Sequence, residues 1–249
     1  MTIRPEERLA TAVARLILDP SAPPVRHAAV GNASAIPAAA CLLVKAMGNP
    51  LRISLLTRPR GNPFTEGGRE LFDLTGQGRV DLFFLGGGQI DGQANINLLG
   101  TGEWPGTAAR FPGSFGSAFM YMMTGRTILF REEHSPRVLV EKVDMISAPG
   151  VSPPGVFRRG MAQALVTGRC VFRFDAARAR FALESVHPGE TVQSIRAQTG
   201  FDFDVADAVP ETPDPTEQEL ALLRGPVCDG MLETYPEFCA RVFNRRLAA

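Results

Sequence analysis

The residues with the greatest chemical reach stand in one stretch, Gly86-Gly87-Gly88-Gln89-Ile90-Asp91-Gly92-Gln93-Ala94-Asn95-Ile96-Asn97. Three glycines follow directly on an apolar run, where a missing Cβ lets a ligand approach the backbone and leaves N–H groups for an anionic oxygen. The amides of Gln89, Asn95 and Asn97 can donate to a carbonyl oxygen as charge develops on it, and Asp91 supplies a carboxylate among them. The same residue types also close turns, because Asp and Asn side chains bond to nearby backbone. A second loop of this kind, Arg110-Phe111-Pro112-Gly113-Ser114-Phe115-Gly116-Ser117, follows soon after. Two such loops close together point to a site, with Gly113, Phe115 and Gly116 as lining candidates.

Other candidates are weaker. Asn32 and Ser34 follow a β-like run, at a βα turn where α/β folds place ligands; for Ser34 a helix-capping role is preferred. His134, in Arg131-Glu132-Glu133-His134, has the neighbours of a general base but reads more simply as a solvated strand end. His187, before Pro188-Gly189, reads as a turn residue and His27 as a core or lining residue. Trp104 is expected to pack on a partner, and Arg110 is a candidate phosphate contact. Cys41, Cys170, Cys228 and Cys239 have no metal-ligand spacing and read as reduced, with Cys41 a small core residue. Gly100-x-Gly102-x-x-x-Gly106 is no dinucleotide fingerprint, because Pro105 and Phe111-Pro112-Gly113 deny it the following helix.

The elements that must position these residues begin with a helix predicted over 5–18. Pro5 lies in its first turn, Glu6 and Glu7 complement its dipole, and Leu9, Val13, Leu16 and Ile17 form one apolar face. Residues 25–30 and 51–57 read as strands around an Ala-rich helix ending near Met47, which implies a parallel βαβ unit. Residues 58–68 read as a loop and 70–74 as a short helix. Residues 80–85 are apolar throughout, as a strand covered on both faces should be. Residues 86–116 read as loops. Further strands are expected at 127–131, 138–143, 162–167, 171–175 and 180–185. Helices follow at 191–199, at 215–224 (Asp214 as N-cap, Gly225 as stop) and at 236–247. The whole chain, 1–249, reads as one α/β domain.

The chain has 249 residues, 26 basic against 26 acidic, and only Lys45 and Lys142 are lysines. That balance argues against nucleic acid or a membrane surface as a partner. No apolar run is long enough to span a bilayer, and the acidic start MTIRPEERLA lacks a signal peptide's apolar core, so a cytoplasmic location is expected. No metal site is expected.

GGGQIDGQANIN, RFPGSFGS, VDMISAPG and SVHPGETVQSIRAQTGFDFDVADAVPETPDPTEQELALLR, with VGNASAIPAAACLLVKA before them, resemble the β subunit of class I CoA-transferases of the glutaconate type. The resemblance covers roughly residues 1–225. It implies an open, mostly parallel α/β sheet flanked by helices, the class I CoA-transferase (NagB/RpiA-like) fold. It also implies a partner α subunit in an α2β2 assembly and acyl-CoA substrates, with coenzyme A as part of the substrate and no bound cofactor. By resemblance Gln89, Asp91, Asn95 and Asn97 are the catalytic loop, and Gly86, Gly87, Gly88, Gly113, Phe115, Gly116 and Asn32 bind substrate or CoA. The family's glutamate nucleophile falls at Leu55 or Leu56, and leucine attacks nothing; Glu66 and Glu70 lie beyond a Pro/Gly loop. Where the transferases have a Gly-Gly pair, this chain has Phe115-Gly116, which narrows the approach to the backbone or packs on an acyl group. The C-terminal segment also resembles the β subunit of steroid-ring-cleaving acyl-CoA hydrolases. Hydrolysis or C–C cleavage of an acyl-CoA is therefore expected over transfer by the glutamyl route. True CoA transfer and a non-catalytic scaffold are the alternatives.

Overall fold

In a computed structural model, which describes residues 2–31, 33–58, 62, 64–66 and 68–246, Pro5 opens the first helix as expected. The elements run α1 (Pro5–Ile17), β1 (His27–Val30), α2 (Ala35–Ala46), β2 (Arg52–Leu55), α3 (Gly68–Gly76) and β3 (Leu82–Leu85). Four two-residue strands follow: β4 (Gln89–Ile90), β5 (Ile96–Asn97), β6 (Gly100–Thr101) and β7 (Ala109–Arg110). Then come α4 (Ser117–Met123), β8 (Arg126–Arg131), β9 (Met161–Thr167), β10 (Cys170–Asp175) and β11 (Arg180–Val186). The chain ends with α5 (Val192–Gln198), β12 (Asp204–Val205), α6 (Glu217–Leu222), α7 (Cys228–Met231) and α8 (Pro236–Phe243). These elements gather into two units, one of Met1–Leu74, Arg79–Phe84 and Pro213–Ala249, the other of Thr75–Gly78 and Leu85–Thr212.

The first unit is built on parallel pairing of β1 with β2 and of β1 with β3. Its apolar face is the one the sequence shows: Leu9, Val13, Leu16 and Ile17 of α1 are buried, with Ile36, Leu43 and Val44 of α2. Glu7 is buried too, and Arg224 donates to it from Nε and Nη2 at 2.6 and 2.8 Å. The expected start of α6 is corrected. Thr216, not Asp214, caps it: Thr216 Oγ1 accepts from Glu219 N at 3.2 Å, and Glu219 returns the bond to Thr216 N at 2.7 Å. Asp214 pairs with Arg8 instead. Gly225 is not a stop either, because the chain passes through a kinked turn, Leu223–Val227, into α7.

The second unit orders its strands β12-β11-β10-β9-β8, parallel at β8–β9 and β11–β12 and antiparallel through β10. Phe172 sits at the centre of its core, ringed by Phe181, Phe201 and Phe203. Residues 138–143 do not form the expected strand. Leu139 makes one isolated bridge to Ile90, where Val140 N–H donates to Ile90 O, and farther on side chains hold the donors: Val143 N–H reaches Asp91 Oδ2 and Asp144 N–H reaches Gln89 Oε1. With those donors held by side chains, no ladder continues.

Candidate functional site

The Gly/Asn stretch folds as a hairpin within the second unit. Gln89 pairs with Asn97 and Ile90 with Ile96, and both isoleucines are fully buried anchors. Asp91 closes the turn: its Oδ1 accepts from Gln93 N and Asn95 N at 3.0 and 3.1 Å, its Oδ2 from Asn95 Nδ2 at 3.1 Å. Asn95 Oδ1 accepts from Gly150 N at 3.0 Å, which fixes the next segment against the turn. Asn97 Nδ2 donates to Gln89 Oε1 and to Gly100 O, both at 2.7 Å, while its Oδ1 accepts from Leu99 N and Gly100 N. All four side chains are 6% exposed or less.

Burial on that scale is tolerable only because the polar atoms are bonded. It also fixes what each can do. Asp91, Asn95 and Asn97 are turn and hairpin supports, their bonds directed into the protein. Gln89 differs: its oxygen accepts from Asn97 and Asp144, whereas its amide nitrogen makes no hydrogen bond among the described residues. That nitrogen is the donor this hairpin can offer outward.

The glycine triad serves packing. A methyl group on Gly86 would lie 2.8 Å from Phe130 O, one on Gly87 2.6 Å from Ile96 Cγ2, and one on Gly88 would overlap the Phe111 ring. Gly88 N–H is already given to Asn97 O at 2.9 Å. The space a Cβ would need at each glycine is occupied by protein, which explains the three residues.

The second loop rides on the first. Phe111 N donates to Leu99 O and Gly113 N to Leu98 O, at 3.0 and 2.9 Å. Beyond Gly113, whose φ is +104°, Ser114 O accepts from Ser117 N and Ser117 Oγ and ties off a tight turn. At its tip Phe115 holds a left-handed φ of +43° and is 86% exposed. Gly116 stands at the N-cap position of α4. Arg110 lies over the exposed Trp104 ring, 4.6 Å from its centroid.

The remaining candidates lie elsewhere. Asn32 is outside the described residues. Ser34 holds the N-cap position of α2, and Cys41 is buried in that helix, its thiol pushed up by burial. Leu55 ends β2, buried; Leu56 N–H donates to Val30 O. Glu70 closes its own loop by accepting from Glu66 N at 3.0 Å, and Glu66 pairs with Arg69. The histidines are all buried. His27 bonds Arg79 O and Ser54 Oγ, and His187 bonds Thr212 Oγ1 and Thr167 O. His134 is not a solvated strand end: Thr167 Oγ1 and Thr199 Oγ1 hold its two nitrogens at 2.8 and 2.9 Å. Desolvation, helped by Arg169, lowers its pKa to about 4.

Sequence reasoning missed Tyr121 and Arg158. Tyr121 is fully buried and its hydroxyl donates to Ala94 O at 3.1 Å, in the hairpin turn. Arg158 lies 4.7 Å over that ring and donates to Pro149 O and Gly160 O. Nothing in SAFMYMM marks this tyrosine, because its partner is 27 residues away. Among the described residues no group of three or more His, Cys, Asp or Glu side chains is placed to hold a metal ion, and no helix is long and apolar enough to cross a membrane.

Comparisons place this architecture. The chain is 32% identical over 153 residues to one of the subunits of the 3-oxoadipate CoA-transferase of Pseudomonas knackmussii, covering 59% of this chain and 58% of that one. It is 30% identical over 166 residues to the cholesterol ring-cleaving hydrolase IpdB subunit of Rhodococcus jostii, covering 63% and 62%. The chain thus spans about three-fifths of the length of these curated relatives. In fold it is similar to the solved glutaconate coenzyme A-transferase of Acidaminococcus fermentans, with a TM-score of 0.77 at 21% identity over 92% of this chain and 96% of that one. The open, mostly parallel α/β fold expected from the sequence is therefore the observed one. Residues 53–198, which carry most of β2, the hairpin and the Phe115 loop, match the Coenzyme A transferase family, and the chain belongs to that family.

Proposed function

We propose that this chain, acting as a single β-type subunit with a partner α subunit in an α2β2 assembly, processes acyl-CoA thioesters without a glutamyl nucleophile of its own. Coenzyme A transferases take coenzyme A as substrate; here it enters as part of the thioester, and the chain itself holds no further cofactor. The observation that carries the reading is the end of β2, where Leu55 and Leu56 stand at the position that the family resemblance gives to glutamate. An aliphatic side chain has no lone pair with which to form an acyl anhydride. Glu66 and Glu70, the nearest following carboxylates, are engaged with Arg69 and with the Glu66 backbone N–H.

Chemistry other than glutamyl transfer still needs the thioester oxygen stabilised. The Gln89 amide nitrogen is the donor offered for that, with Asn97 fixing its amide plane and Asp91 and Asn95 fixing the turn beneath it. Gly86, Gly87 and Gly88 let Phe130, Ile96 and Phe111 pack against this stretch; Gly113, Phe115 and Gly116 line the substrate side. Hydrolysis or C–C cleavage is the reaction class, its base supplied by the α chain. The hydrolase name of the IpdB relative supports this class.

The test is trapping. The complex with its α subunit is incubated with octanoyl-CoA, quenched with borohydride or hydroxylamine, and this chain is mapped by mass spectrometry. Turnover with no modified glutamate on this chain is expected; a reduced or hydroxamate-bearing glutamate overturns the reading. The internal bonding of Asp91, Asn95 and Asn97 favours a second reading, a scaffold that only supports the α protein. Failure of the assembled complex to bind acetyl-CoA or octanoyl-CoA by calorimetry would establish that one instead.

A further inference from the structure

Val143-Asp144-Met145-Ile146-Ser147-Ala148-Pro149-Gly150 joins no strand ladder beyond one bridge from Ala148 to Ile96, yet most of its hydrogen bonds go to the hairpin. Asp144 N–H donates to Gln89 Oε1 at 3.0 Å, and Ser147 N and Ala148 N both donate to Ile96 O. Ser147 Oγ accepts from Leu98 N, and Gly150 N donates to Asn95 Oδ1. The contact is close enough that a Cβ on Gly150 would lie 2.0 Å from Gln93 O. The segment is a bracket along the hairpin, and its irregular course follows from serving side chains as well as backbone.

Asp144 differs from the rest of the bracket. Its backbone binds Gln89, while its exposed carboxylate reaches the other way and accepts from Gly102 N at 2.7 Å. Those two bonds close a circuit. Asn97 Nδ2 donates to Gln89 Oε1 and to Gly100 O, the chain runs on to Gly102, Gly102 N–H donates to Asp144 Oδ2, and Asp144 N–H returns to Gln89 Oε1. Two donors on one oxygen use both its lone pairs, which assigns the amide's oxygen and nitrogen, sets its plane and directs Nε2 away from the circuit. Gln89 and Asn97 are buried, so the link from Gly102 to Asp144 is the one that water reaches. A single hydrogen bond in water adds little to stability. What this one controls is where the Asp144 N–H stands.

We infer that Asp144 is a positioning residue: by holding Gly102, its carboxylate keeps its own N–H on Gln89 Oε1 and so fixes the direction in which the Gln89 amide nitrogen is offered. The inference rests on the proposed reading of Gln89 as donor to a thioester oxygen and adds the residue that aims it.

The experiment uses the assembled complex with octanoyl-CoA, reading kcat and KM for the wild type, Asp144→Ala, Asp144→Asn, Gln89→Ala and the double variant Asp144→Ala with Gln89→Ala. A misdirected donor loses transition-state stabilisation, so Asp144→Ala is expected to lower kcat about tenfold with KM nearly constant. Asp144→Asn keeps a carbonyl oxygen for Gly102 and should restore most of that loss. Without the Gln89 amide there is nothing left to aim, so the double variant should be no slower than Gln89→Ala. Should Asp144→Ala fail to assemble with the α subunit, Asp144→Glu decides, because it keeps the charge and displaces the acceptor by one methylene: a lowered kcat supports the inference and a wild-type kcat overturns it. Where Gln89→Ala is slow, a wild-type kcat in Asp144→Ala, or a further drop in the double variant, overturns the inference and leaves the reading of Gln89 intact. A wild-type kcat in Gln89→Ala overturns that reading itself, and this inference with it.

Discussion

The two glycine-rich loops of the second unit look alike in sequence and are opposites in structure. In residues 86–97 the glycines are there because protein occupies the space a Cβ would need, and the polar side chains bond inward. In residues 110–117 Gly113 has open space around it and is needed for its φ of +104°, while Phe115 points into solvent. The first loop is a support and the second a presented surface. Glycine density therefore marks a special backbone without saying whether packing or conformation demands it.

Stability measurements can break that contrast. The largest effect is expected at Gly87→Ala, whose methyl would press on Ile96 Cγ2 and Gln89 O. Both neighbours belong to a tight buried hairpin, so a loss of about 3 kcal/mol in urea denaturation is expected. Gly113→Ala meets no atom within 4 Å and carries only the left-handed strain, about 1–2 kcal/mol. Equal losses at the two positions would erase the distinction. Next comes Asn97→Ala, which removes the side-chain partner of Gly100 O and of two backbone N–H groups in a buried site and leaves Gln89 Oε1 with Asp144 N alone. That should cost about 2–3 kcal/mol, against less than about 0.5 for Ser114→Ala in the open loop. A silent Asn97→Ala would mean that the hairpin does not depend on its polar network.

The fold was largely legible because its long elements carry periodic signals: the apolar stripe of α1, the Ala-rich α2, the unbroken apolar β3. The site was legible in type and not in geometry. Strands of two residues, such as β4 and β5, are too short to show alternation, so the hairpin read as loop. The capping signature Thr216-x-x-Glu219 was present, but Asp214-Pro215 offered a competing start that tertiary pairing with Arg8 resolved. Tyr121 and Arg158 support the hairpin turn through contacts distant along the chain, for which a single sequence has no local signal. Placing Gly86–Gly88 against a ligand followed from composition; Phe111, Ile96 and Phe130 occupy that space by folding back from elsewhere in the chain.

His134 extends the comparison from the loops to the sheet, and its expected effect is the smallest. Its charged neighbours in sequence, Glu132 and Glu133, suggested a solvated group, yet Thr167 and Thr199 enclose its ring. Thr199 Oγ1 already donates to Ile195 O, so it accepts from His134 Nε2–H; Nδ1 then accepts from Thr167 Oγ1, which lies 2.8 Å from it against 3.3 Å from Cys170 O. That arrangement holds the neutral ring and matches a folded pKa of about 4. The unfolded chain takes up this proton near pH 6.5, the folded chain only near 4, so stability falls as the pH drops through that window and levels off below it. Between pH 7.5 and 5.5 the loss attributable to this residue is roughly 1–1.5 kcal/mol. Urea midpoints at the two pH values should therefore diverge less in His134→Gln than in the wild type. Gly113→Ala, which alters only the presented loop, should keep the full wild-type divergence. If His134→Gln diverges as much as the wild type, the acid sensitivity lies outside the sheet and the enclosure of this ring does not set it.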